Sequence, residues 1–380
     1  MTYNSAMASE RHPGVLHIDT ERTWRGGQQQ AAWLLEGMLA RRWPTALVCP
    51  AGSVLEERGR ARGWPVHTVA MHGELDIAAG RRIARVARSG GLSILHAHSS
   101  HALALGLWAR LFDRGLRLVA SRRVDFPIRD HFLSRLKYSN GILDRIVCIS
   151  AAVRAQLLAD GVPPEKLVVI PSGVDTQRFA GIRPPPQFRR LLGIPNGHLT
   201  IGTVAALAEH KDYPNLLRAA RLVLDEEPDI TFVAVGDGPL RGALETLAGE
   251  LALGRRFLFQ GFREDVGCFL KTFDIFVMAS KTEGLGTSVL DAQALGLPVA
   301  ACRAGGIPEI VTDRETGLLV PPGDPAALAA ALLELARDPA LRAALGARAR
   351  KAAGGHDVTR TVEAHLALYR SLGSVEARSR

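Results

Sequence analysis

The stretch Gly14-VLHIDTERTWRGGQQQAAWLLEGMLARRWPTALVC-Pro50 decides how the chain is built. An apolar run, GVLHID, leads into a polar turn that holds Gly26 and Gly27. The helical pattern QQQAAWLLEGMLARR follows, and a second apolar run, TALVCP, closes the unit. Strand, turn, helix and strand in that order make a βαβ unit, whose crossover lays the two strands parallel in one sheet with the helix on a face.

Outward from this unit the same rhythm continues through SILHAH, RLVASRR and RIVCIS. It pauses at IRPPPQFRRLLGIPNG, where Pro184, Pro185 and Pro186 forbid a helix and favour an extended connector. It then restarts with the strand LTIGTVAAL, the helix PNLLRAARLVLDEE, the strand ITFVAVGDG, the helix LRGALETLAGELAL and the strands RFLFQGF and IFVMAS. A long alanine and leucine segment up to Gly346 and the amphipathic HDVTRTVEAHLALYRSL read as helices. The expectation is an α/β chain of two Rossmann-like, doubly wound domains, residues 1–180 and 181–356, with residues 357–380 as a terminal helical segment. The cleft between two such domains is the default place for a ligand.

With 380 residues and 47% hydrophobic content, each half can bury its own core. Cys49, Cys148, Cys268 and Cys302 lie far apart with no C-x-x-C pair, which fits a reducing cytosol. No apolar stretch approaches the roughly 20 residues needed to span a bilayer, and MTYNSAMASERHPGVLHIDT lacks the features of a signal peptide. Residues 1–180 carry 24 Lys and Arg against 15 Asp and Glu, and the remainder carries 23 against 23, so the whole positive excess sits in the first half. A basic half suits nucleic acid, an anionic membrane surface or a phosphorylated substrate, or it serves solubility alone. No aromatic interleaving or nucleic-acid motif supports the first of these.

The segment Ser280-KTEGLGTSVLDAQALGLPVAACRAGGIPEI-Val311 places Glu283 before a turn with Gly284 and Gly286, and Asp291 eight residues later. Thr287 opens a helix whose free N–H groups would face an anion. Glu283 and Asp291 would then flank one elongated ligand from the same side. Spacing alone equally allows a capped helix with a surface acid at either end.

The segment resembles the E-x7-E signature of the retaining glycosyltransferase family 4, whose fold is the two-domain GT-B arrangement with the C-terminal helix returning to the first domain. The likeness continues through ALGLPV, AGGIPEI and TGLLVPPGD and extends over nearly the whole chain. It implies that Glu283 contacts the donor sugar. The turn Gly284, Leu285, Gly286 and Thr287 would hold the donor phosphate and Asp291 the ribose, although Asp291 stands where the family usually has Glu. It also makes Lys211 the donor-phosphate lysine. The family's arginine about five residues earlier is absent, because the chain has Ala205, Ala206 and Leu207 there; the missing charge must come from elsewhere, and Arg263 is one nearby candidate.

Further correspondences fall on Gly236 in VGDGPLR, on the glycine loop Gly26 and Gly27, and on His98 near the sugar hydroxyls. Arg122, Arg123, Arg129, Arg135 and Lys137 in SRRVDFPIRDHFLSRLKY are assigned to an acceptor face or to a solvated basic surface. His96, His98 and His101 raise the question of a metal site, but no carboxylate cluster completes a shell. No D-x-D occurs in the sequence, so no metal and no cofactor are expected.

The resemblance implies transfer of a sugar from a UDP- or GDP-sugar to a hydroxyl of a glycan or lipid-linked acceptor, with retention and without metal. Lipopolysaccharide or capsule assembly is the expected setting, in the cytoplasm or peripherally at the inner face of the membrane, with no nucleic-acid partner. Sugar-nucleotide epimerisation or hydrolysis, and non-catalytic nucleotide-sugar binding, are the competing readings.

Overall fold

A computed structural model describes residues 12–128 and 132–373. Seven parallel strands form the first sheet: β1 (Gly14–Ile18), β2 (Thr45–Cys49), β3 (Val66–Thr68), β4 (Leu92–Ala97), β5 (Arg117–Arg122), β6 (Arg145–Cys148) and β7 (Leu167–Val169), in the order 3-2-1-4-5-6-7. Six more form the second: β8 (Leu199–Val204), β9 (Ile230–Val235), β10 (Phe257–Phe259), β11 (Ile275–Met278), β12 (Val299–Cys302) and β13 (Leu318–Val320), in the order 10-9-8-11-12-13. Central strands such as β1 and β9 are buried at every position, as expected where helices cover both faces of a parallel sheet.

Both sheets reverse direction once, between β1 and β4 in the first and between β8 and β11 in the second. At such a switch point the connections leave on opposite faces, opening a crevice beyond the carboxyl ends of the strands. That topology alone directs attention to the segments after Ile18, Ala97, Val204 and Met278.

Residues 182–185, within the proline-rich connector, carry no regular structure. The alanine and leucine segment is not one helix. Pro339 removes a backbone donor, and Asp338 ends the helix Pro325–Arg337 and caps the helix Pro339–Ala353 through Leu341 N–H at 2.9 Å.

The chain crosses between the sheets twice, at residues 170–180 and again before Val358. The two crossings are paired, with Val174 N–H donating to His356 O at 2.8 Å and Val358 N–H to Val174 O at 3.0 Å. The helix Val358–Gly373 then buries Val362, Leu366, Tyr369 and Leu372 against Val15, Leu34, Met38 and Trp43 of the first unit. Each such side chain stabilises by about 1.5–3 kcal/mol, so this helix is part of the first unit's core.

Candidate active site

The loops at the two switch points meet across one cleft. After β11, Ser280 Oγ donates to Glu283 Oε2 at 3.2 Å. From the loop after β8, Lys211 Nζ forms an ion pair with the same carboxylate. The two loops are tied by Lys281 N–H donating to His210 O at 2.9 Å. Both partners of the ion pair are largely buried, at 14% and 13% side-chain exposure, so removing either one leaves the other uncompensated in a poorly solvated place.

The turn that follows needs its glycines. Gly286 sits at φ +90°, and a Cβ there would come within 2.5 Å of Ile307; a Cβ on Gly284 would lie 2.3 Å from Arg123 O of the first unit. Thr287 then starts the helix Thr287–Ala294, with no side chain capping its first N–H groups.

Facing it is the start of the helix Gly26–Ala40, where a Cβ on Gly26 would lie 3.3 Å from Thr287 Oγ1. Between the two helix starts lies a cavity of about 90 Å³, lined by Gly26, Gly27, Gln30, Arg123, Ile149, Ser172, Glu283, Leu285, Gly286 and Thr287. Glu283 N–H donates across the cleft to Asp125 Oδ2 at 3.0 Å, which anchors the turn on the first unit.

Several expected residues are thereby brought together: Gly26, Gly27, Glu283 with Lys211, and the turn through Thr287. Others lie elsewhere. Asp291 is partly buried, with 15% side-chain exposure and Oδ2 3.4 Å from Arg178 Nη1. Burial pushes its carboxyl up to about 6 against the opposing pull of Arg178. Gly236 packs against the loop after β8, where a Cβ would lie 2.0 Å from Ala205 O. Arg263 does not line the cavity; its fork pairs with Asp265 through two contacts of 2.8 Å on an exposed loop.

His98 sits behind Arg123 rather than in the cavity. Its Nε2 meets His17 Nδ1 at 2.9 Å and its Nδ1 meets Arg123 Nη2 at 3.3 Å. Strand pairing sets His17 beside His96, and the nitrogens of His17, His96 and His98 lie within 4.8 Å of one another. His101 takes no part, being exposed with Nε2 3.7 Å from Glu74.

The three imidazoles are close enough to hold an ion, but protein groups occupy them. His96 meets Tyr369 Oη at 2.6 Å and Ser121 Oγ at 2.9 Å, while His17 also touches Met38 Sδ at 3.4 Å. The guanidinium beside His98 adds positive charge where a cation would bind. Burial holds His96 and His98 well below the usual imidazole range and His17 at about 3, so the cluster is uncharged near neutral pH.

The expected basic acceptor face is not continuous. Arg122 is buried, donating to Phe126 O at 2.6 Å and lying over the Tyr138 ring at 5.4 Å. Lys137 is neutralised by Glu74 at 2.6 Å. Arg135 is exposed, and Arg129 lies outside the described residues. Among the described members of this group, Arg123 alone lines the cavity. Gln30, Asp125, Ser172 and His17 carry no local motif, and only the folding of distant segments into one sheet brings them near the cleft.

Residues 24–178 match the model of Glycosyltransferase Family 4, and residues 186–352 match that of Glycosyl transferases group 1. The chain belongs to glycosyltransferase family 4. Among solved structures, Anabaena HepE in complex with UDP and glucose superposes with a TM-score of 0.83 at 22% identity, over 95% of this chain and 100% of that one. The two facing parallel-sheet domains are the GT-B arrangement.

In sequence, this family 4 chain is 36% identical over 190 residues to a Corynebacterium glutamicum GDP-mannose-dependent monoacylated alpha-(1-6)-phosphatidylinositol monomannoside mannosyltransferase, covering 48% of this chain and 50% of the relative. It is 30% identical over 230 residues to an Escherichia coli UDP-Gal:alpha-D-GlcNAc-diphosphoundecaprenol alpha-1,3-galactosyltransferase, covering 60% of this chain and 57% of the relative. The matched region thus spans little more than half the length of these curated relatives. Among the described residues no helix is long and apolar enough to cross a membrane.

Proposed function

We propose that the protein transfers a sugar from a UDP- or GDP-sugar to a hydroxyl of a glycan or lipid-linked acceptor, with retention and without a metal. The observation that carries this reading is the Lys211–Glu283 ion pair beside the cavity where the two uncapped helix starts meet. Such an arrangement offers a carboxylate to sugar hydroxyls, and a lysine with oriented N–H groups to a diphosphate. The relatives named for GDP-mannose and UDP-galactose donors and for lipid-borne acceptors support the substrate class.

In the proposed step the acceptor oxygen attacks the anomeric carbon on the face that the diphosphate leaves. The bond from that carbon to the phosphate oxygen breaks, and the acceptor proton passes to the departing phosphate. Lys211 and the Thr287 end of the turn stabilise the negative charge that develops, while Glu283 holds the sugar. No covalent sugar on Glu283 is invoked. We assign Asp291 to the ribose end, about one helical turn beyond Thr287 at the phosphate end of the site. Assembly of lipopolysaccharide or capsule, in the cytoplasm or at the inner face of the membrane, is the proposed setting.

The test is to incubate the protein with UDP- and GDP-sugars, with and without lipid-linked acceptors. Nucleotide release only with acceptor, an α-linked product from an α-linked donor, and full rate in EDTA are expected. Release without acceptor would make the protein a hydrolase, and donor conversion without release an epimerase. Binding without either would leave a nucleotide-sugar binding protein.

A further inference from the structure

Charge around the cavity is unevenly paired. Among the described residues, Arg123 and Glu283 are the only acidic or basic side chains lining the cavity, and Glu283 is already tied to Lys211. Arg123 has no carboxylate within ion-pair distance among the described residues. Its Nε lacks a hydrogen-bond partner, and its Nη2 meets only the uncharged ring of His98, at 3.3 Å. Asp19 is near enough for its charge to favour the guanidinium, but it forms no ion pair with it. One of its oxygens accepts from Glu21 N–H at 2.8 Å and the other from Gln28 Nε2 at 3.0 Å, and burial raises its carboxyl. Burial likewise draws the guanidinium down to about 10, so it still holds its proton in the working range.

An unpaired buried cation is costly to keep. It is tolerated where an anionic ligand completes it, and here the cavity is the approach. Gly27 leaves the flank of Arg123 uncovered, whereas an added Cβ would sit in van der Waals contact with its Cδ at 3.5 Å. The backbone of Arg123 packs closely on Gly284 of the opposing turn, where an added Cβ would lie 2.3 Å from Arg123 O, so the residue is rooted beside the Thr287 helix start.

We propose that Arg123, reaching in from the first domain behind the glycine loop, binds the diphosphate of a nucleoside-diphosphate ligand and supplies the positive charge that Lys211, shared with Glu283, gives only in part. This rests on the proposed function and assigns Arg123 to the donor phosphate, where Arg263 had been expected, and not to the acceptor. The planar fork suits two phosphate oxygens at once, which a lysine cannot match.

Calorimetric titration of the full chain with UDP and GDP, beside uridine and guanosine, tests this. Arg123→Gln should weaken whichever diphosphate the wild type binds by about ten- to a hundred-fold, the size of a lost charge-assisted contact, with nucleoside affinity unchanged. Arg123→Lys should recover part of the loss. It also stands in for the glutamine variant if that variant melts early, and diphosphate affinity must then fall while nucleoside affinity holds. Equal losses for nucleoside and diphosphate, or no loss at all, overturn the inference while leaving sugar transfer by the wild type intact. A wild type that binds neither UDP nor GDP overturns both the inference and the proposed function.

Discussion

On the first-domain wall of the cleft, His96 is held by Ser121 and Tyr369 and His98 by His17, all below the surface. On the second-domain wall, Lys211 and Glu283 meet beside the cavity, and the turn to Thr287 exposes its backbone to it. The imidazoles of one wall are kept uncharged by burial, and the ion pair of the other is balanced within itself. The lesson is that polar composition does not locate a site; what matters is which polar groups are left without a protein partner. By that measure the first wall contributes one charged group, Arg123, and the second wall contributes oriented N–H groups.

The comparison breaks first at Glu283. Glu283→Gln keeps the volume but frees Lys211, and acceptor-dependent nucleotide release should fall about 10²- to 10³-fold, as for loss of a transition-state electrostatic contact. A fall of less than about ten-fold would remove the second wall's charge from the reaction.

The first wall is tested from its far side. Leu366→Ala hollows the packing of the terminal helix on the first sheet, and denaturant unfolding should show a loss of about 2–5 kcal/mol. A loss below about 1 kcal/mol would mean that the helix is not part of that core.

Asp291 gives the comparison a pH signature. Its carboxyl sits at about 6 in the folded chain, above its ordinary 3.8, so the native state holds the proton more tightly. Asp291 therefore favours folding below pH 3.8 to 6 and loses that favour as pH rises through the window. Between pH 4 and pH 7 the stability of Asp291→Asn relative to wild type should rise by about 2–3 kcal/mol. A flat difference across that range would show that the carboxyl is not desolvated.

The smallest effect belongs to Arg263. Its charge is already paired on the surface with Asp265, so Arg263→Ala should change nucleoside-diphosphate affinity by less than about two-fold.

Strands with several apolar residues were legible as strands, because a two-faced parallel sheet demands continuous apolar runs. VHT, LVV and LLV, forming β3, β7 and β13, were not read as strands. They are three-residue edge strands that pair with a single neighbour. VAAC of β12 hid because alanine gives little strand signal. Glu283 and Lys211 were found through a family likeness carried by local motifs. His17 was not, because it reaches His98 across 81 residues of chain through strand order alone.

Arg122 and Arg123 are adjacent in sequence yet part company at the end of β5, where successive side chains point to opposite faces. One turns to Tyr138 and the other to the cleft. A charge count over the segment cannot make that distinction.

The return of the helix Val358–Gly373 to the first sheet has a consequence in time. A ribosome emits β1 to β7 early, but the residues that cover Val15, Leu34, Met38 and Trp43 come nearly the whole second domain later. At about 5–20 residues per second the delay is on the order of ten to forty seconds. Throughout that interval an apolar patch on the nascent first domain stays uncovered, a transient target for chaperones. The domain made first is the one completed last.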